Sequence, residues 1–84
     1  MSVECLLPLT DHARLRMDGR RIPAEAVAAV LEHGRVAWVR GAQVHALGRK
    51  EVGKAARKGL DLRAYEGLQV VCASDGDVLT VYRN

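Results

Sequence analysis

The stretch Gln69-Val70-Val71-Cys72-Ala73-Ser74-Asp75-Gly76-Asp77-Val78-Leu79-Thr80-Val81-Tyr82-Arg83 decides the fold. Two apolar runs flank Asp75-Gly76, a pair suited to the left-handed positions of a type I′ turn. Closing that turn sets Cys72 opposite Leu79 and Val70 opposite Val81 on one face. The other face carries Val71 opposite Thr80 and Gln69 opposite Tyr82. One apolar and one mixed face are what a hairpin shows when one side packs on a core and the other stays half open. The C-terminal part of the chain therefore predicts an antiparallel sheet.

Working back from that hairpin, Leu60 to Gly67 reads as a looser connection. Arg49 to Arg57 reads as a helix ending near Gly59, with Val52, Ala55 and Ala56 as its apolar residues and hence an outer position. Val36 to Arg40 and Gln43 to Leu47 flank Gly41-Ala42, which fits a two-residue hairpin loop and would put Trp38 opposite His45. Val27, Val30 and Leu31 recur with helical period between Pro23, suited to a first turn, and Gly34, suited to a C-terminal stop. A first helix runs from a cap at Thr10 or Asp11 to about Asp18 and stops at Gly19, with Ala13 and Met17 on its core face and Leu15 to one side. The order is α-α-β-β-α-β-β. The expected class is α+β, with helices packed on one face of a small antiparallel sheet.

The 84 residues make one domain spanning 1–84, with 1–9 as a tail. A chain this short buries roughly 60–65% of its unfolded surface. Its aromatics are Trp38, Tyr65 and Tyr82, so Val, Leu and Ala must build the core. Nearly half the residues are apolar (49%), which places the chain among folded globular domains rather than disordered ones. Cys5 and Cys72 form no motif and read as reduced thiols, Cys72 as a small hydrophobe within a strand. No run approaches the roughly 20 apolar residues of a membrane span, and residues 1–8 lack the pattern of a secretory signal. The chain reads as a soluble cytoplasmic protein with no membrane partner.

The net charge of +3 is distributed unevenly. Arg49, Lys50, Lys54, Arg57 and Lys58 face only Glu51 within their segment. Arg14, Arg16, Arg20 and Arg21 face only Asp18 within theirs. Two basic clusters on a small domain point to a polyanion, most often nucleic acid.

Several chemistries find no support in the residue pattern. His12, His33 and His45 have no companion Cys or carboxylate at ligand spacing, so no metal is expected. No glycine-rich phosphate loop, paired nucleophile and base, or paired carboxylate stands out, and no cofactor is expected. What remains suits metal-independent cleavage of RNA. That reaction needs a base for the ribose 2′-hydroxyl, an acid for the leaving oxygen and cations for the developing charge. His12 can carry the proton, with His45 or Tyr82 as its partner. Arg16, four residues on, shares its helix face, and Arg16, Arg20, Arg21 and Arg83 can hold phosphate in bidentate fashion.

Each candidate also has a structural reading. His12 can bond a capping carboxylate, and His45 can pack against Trp38 across the hairpin. His33 beside Gly34 suits the negative end of a helix. Thr80 and Tyr82 can complete a terminal strand, and the basic helix can be a solvated face.

Taken together, His12-Ala13-x-x-Arg16-Met17, Arg21-Ile22-Pro23-x-Glu25-x-Val27 and Val78-Leu79-Thr80-Val81-Tyr82-Arg83 resemble a family of small bacterial proteins defined only as a domain of unknown function. The likeness runs from about residue 10 to residue 84. That family is distantly similar to the RelE/ParE-like toxins. The resemblance implies a sheet cupping RNA or a protein partner such as a cognate antitoxin. It also implies His12 and Arg16 on a helix near Thr80 and Tyr82 on the last strand, with Arg21 and Arg83 as additions. The helical segment from Gly48 to Gly67 departs from that pattern. Two functions follow as expectations. One is a toxin-like, metal-independent endoribonuclease using His12, Arg16, Thr80 and Tyr82. The other is a non-catalytic basic module binding nucleic acid or a protein through Arg20, Arg21, Arg49, Lys50, Lys54, Arg57, Lys58 and Arg83.

Overall fold

The computed structural model describes residues 9–83. Their order is α1 (Asp11–Arg20), α2 (Ala24–His33), β1 (Arg35–Val39), β2 (Ala42–Ala46), α3 (Arg49–Arg57), a single 3-10 turn (Arg63–Tyr65), β3 (Leu68–Cys72) and β4 (Val78–Arg83). The strands form one antiparallel sheet in the order β1-β2-β3-β4. It is an α+β fold in which α1 packs on β4, and α2 on β3 and β2. Residues 1–8, including Cys5 and most of the expected tail, lie outside the described residues. Leu9 makes a parallel bridge to Val78 and so belongs to the fold.

Thr10 caps α1, its hydroxyl oxygen accepting from the Ala13 N–H at 3.2 Å. The same hydroxyl donates to the Val78 carbonyl at 2.8 Å, and the Thr10 N–H donates to that oxygen at 3.1 Å. One residue thus starts the helix and fastens it to the last strand. The helix runs through Gly19 to Arg20, two residues beyond the expected end. Arg21 takes the left-handed position at φ 53°, closed by its N–H to Asp18 and the Ile22 N–H to Met17. Ile22 is buried, and the chain turns so that this side chain enters the core. Pro23 caps α2 from just outside the helix rather than from its first turn.

The core collects Ala13 and Met17 from α1, Val27 and Val30 from α2, Leu47, Val52 and Ala55 around α3, and Leu68, Val70, Cys72, Val78 and Val81 from the sheet. Burying each Val or Leu side chain contributes about 1.5–3 kcal/mol. Leu15 stays exposed. In α3, the capping contact is the Gly48 N–H to the Glu51 carboxylate at 3.0 Å.

The C-terminal hairpin keeps the expected pairs Val70 with Val81, Val71 with Thr80, and Gln69 with Tyr82. Beyond Val71 a bulge sets Cys72 against Val78, not Leu79. Val78 consequently enters the core and Leu79 is exposed. The β1–β2 hairpin also differs from expectation. Its turn is Arg40-Gly41, both at positive φ (51° and 81°), the geometry of a type I′ turn. Trp38 therefore pairs with Gln43, and His45 pairs with Val36. A loop placed one residue earlier moves each partner by two positions, so the expected Trp38–His45 pair does not form.

Candidate nucleic-acid interface

The four residues of the expected catalytic group come from two elements that do meet, since α1 packs on β4. Their side chains do not share a face. Ala13 and Met17 turn inward, leaving His12 and Arg16 exposed on α1. On β4, Val81 is buried, and alternation sends Thr80 and Tyr82 to the opposite side of the strand. The Tyr82 hydroxyl donates to the Gln69 side-chain oxygen at 2.7 Å, directly across the ladder. Thr10, not a carboxylate beside His12, caps the helix. The register also puts the sheet's third candidate, His45, on the core side at β2, separated from β4 by β3.

His45 has a different environment. Its Nδ1 atom is buried with no hydrogen-bond partner among the described residues. Burial pushes its pKa down, because the low-dielectric surroundings disfavour the charged form. His33 lies 3.9 Å from the Glu32 carboxylate at the end of α2.

Among the expected phosphate ligands, Arg20 and Arg21 are exposed where α1 ends. Arg83 reaches back to the Ala64 carbonyl at 3.5 Å from both guanidinium NH groups. The basic group on α3 is the most coherent. Arg49, Lys50, Lys54, Arg57 and Lys58 are all exposed, while Val52 and Ala55 bury the opposite side. At 100° per residue, Lys50, Lys54, Arg57 and Lys58 occupy one arc, and the row from Lys50 to Lys58 is about 12 Å long. Glu51, which accepts from the Gly48 N–H, is the one carboxylate of α3 against these five cations.

Two features had no clear sequence signal. One is an open groove of about 380 Å³ between α3 and the following loop, lined by Val52, Ala56, Leu60 and Leu62 with Asp61 and Arg63 at its lip. Arg63 donates to the two Asp61 carboxylate oxygens at 3.0 and 3.1 Å. That bond holds the Asp61 carboxyl below its ordinary pKa. The other is β1, whose five residues are all exposed, Trp38 among them. Among the described residues no three His, Cys, Asp or Glu side chains converge to hold a metal ion, and no helix is long and apolar enough to cross a membrane.

No protein-family model, curated protein or solved structure matches the chain.

Proposed function

We propose that this protein is a non-catalytic module that binds nucleic acid, RNA foremost, through the phosphate backbone. The observation that carries the reading is the cationic row on α3. Lys50, Lys54 and Lys58 repeat at a spacing of four, and like charges at that spacing destabilise a helix by about 0.2–0.5 kcal/mol per pair. Arg49 and Lys50 also sit in the first turn, where the helix dipole disfavours cations. Lys54 and Arg57, in the last turn, are placed where the dipole favours cations, so the dipole argues only against the first-turn pair, which a bound polyanion would relieve. A cytoplasmic setting, where RNA is available and a thiol such as Cys72 stays reduced, completes the proposal.

The ribonuclease reading draws less support, because its proton carrier and its strand residues project from different sides. An antitoxin-like partner remains an alternative occupant of the same basic surfaces.

The test is a salt titration of a single-stranded RNA oligonucleotide by fluorescence anisotropy. Four phosphate contacts give a slope of about −2.8 in log affinity against log salt, a loss of about 50-fold between roughly 50 and 200 mM. Lys54→Ala with Arg57→Ala should reduce that loss to about 7-fold. The same samples, kept in EDTA, should leave the RNA intact for the parent protein and for His12→Ala. Absent or salt-independent binding would refute the proposal. Cleavage by the parent that His12→Ala abolishes would restore the ribonuclease.

A further inference from the structure

We infer that the β1–β2 hairpin is a base-stacking platform for single-stranded nucleic acid, with Trp38 as the stacking surface. The inference rests on the nucleic-acid reading above and adds a second contact region to it. Trp38 is the chain's one tryptophan and is 64% exposed. A small domain with three aromatics gains most by burying the largest, yet the core closes without it. Val36 (49%) and Val39 (50%) are left exposed on the same strand.

The surroundings indicate what covers the indole. From Arg35 to Ala46 the hairpin contains no carboxylate, and its two guanidiniums are Arg35, which alternation sends to the face opposite Trp38, and Arg40 at the turn. Arg40 occupies a left-handed turn position at φ 51°, where Asn or Gly is the unstrained choice. A guanidinium is thereby placed at the hairpin tip, two residues from Trp38, or about 7 Å along an extended strand. Gln43 lies directly across from Trp38 and shares its face, so an amide able to donate and accept stands beside the ring. A flat aromatic, a cation at the hairpin tip and an adjacent amide match a strand of unpaired nucleotides. The base stacks, its edge meets the amide and a phosphate meets the Arg40 guanidinium. A second copy fits less well. Antiparallel pairing of β1 with itself would bring the Arg35 end of each copy beside the Val39–Arg40 end of the other, with no carboxylate on either strand.

The single tryptophan makes the test direct. Trp38 emission is followed while the protein is titrated with a single-stranded RNA oligonucleotide. A parallel titration uses an abasic oligonucleotide of equal length, which keeps the phosphates and removes the bases. Emission should be quenched by the first and unchanged by the second. Trp38→Ala should weaken binding of the base-bearing strand about 5- to 100-fold and leave the abasic strand unaffected, while Trp38→Tyr restores part of the loss. Circular dichroism of the Trp38→Ala protein confirms that the fold is kept. Salt-dependent binding with silent Trp38 emission overturns this inference and leaves the α3 reading standing. Binding of neither strand overturns both. A dimer that Trp38→Ala converts to monomer overturns the platform in favour of self-association.

Discussion

Two glycine-to-alanine substitutions should move stability in opposite directions. Gly34 joins α2 to β1 with φ −75° and ψ 160°, an extended geometry open to any residue. Its requirement is space. A Cβ there would press on the carbonyl oxygens of Val30 and Ala46, the latter at 3.0 Å, with the Ala46 carbonyl carbon at 3.2 Å. Both obstacles are backbone, held by a helix end and a paired strand, and neither can swing aside. Overpacking costs about 1–3 kcal/mol. The Gly34 N–H bond to the Val30 carbonyl, 2.8 Å long, would be disturbed by the same shift, adding about 1 kcal/mol. Gly34→Ala should therefore lose about 2–4 kcal/mol. The whole domain is expected to be stable by only about 4–13 kcal/mol. Gly53 lies inside α3, exposed, with nothing near its missing Cβ. Gly53→Ala should gain about 0.5–1 kcal/mol from reduced backbone entropy. The assay is urea unfolding followed by far-UV circular dichroism, with thermal melts in parallel. The melting temperature should fall by at least about 10 °C for the first variant and rise by about 4 °C for the second. Gly34→Ala within about 0.5 kcal/mol of the parent would refute the close packing of α2 against β2.

Thr10→Ala removes both the α1 cap and the bond to the Val78 carbonyl, and should cost about 1–2.5 kcal/mol in urea unfolding. Thr10→Ser keeps both bonds and should fall within about 0.5 kcal/mol of the parent; equal losses would show that methyl packing rather than hydrogen bonding matters there. His45 has a depressed pKa in the fold, so the unfolded chain takes up its proton first as pH falls. Its contribution is fully present above about pH 6.5 and is lost as pH falls below that value toward the folded pKa. The urea midpoint should drop as pH falls below about 6.5, and His45→Gln should flatten that drop. An unchanged slope in the variant would assign the pH dependence to other groups.

The parts of the fold legible in the sequence are those governed by short-range rules. The Thr10 cap, the helical period of Val27 and Val30, the extent of α3 and the Val70–Val81 pairing each depend on residues within a turn or a hairpin. The first hairpin was less legible because two adjacent two-residue turns both contain Gly41. The structure takes Arg40-Gly41, both residues at positive φ, and so pairs His45 with Val36.

The candidate site was legible as a set of residue types and much less so as a place. His12 and Arg16 do share a face of α1, as helical spacing requires. Whether that face looks toward Thr80 and Tyr82 depends on which side of β4 receives α1, and Val81 determines it by entering the core. The basic row on α3 needed only the helical period to be seen.

By itself, then, the sequence determined the element order, the antiparallel class, the inward-facing valines and the two basic clusters, because capping, periodicity and turn chemistry act within a few residues. Tertiary structure alone decided the bulge that buries Val78 instead of Leu79, the close approach at Gly34, the separation of α1's polar face from that of β4, and the exposure of Trp38. The last of these depends on how far the helices extend over a four-stranded sheet. They cover β4, β3 and part of β2, and β1, beyond their reach, presents its apolar residues to solvent.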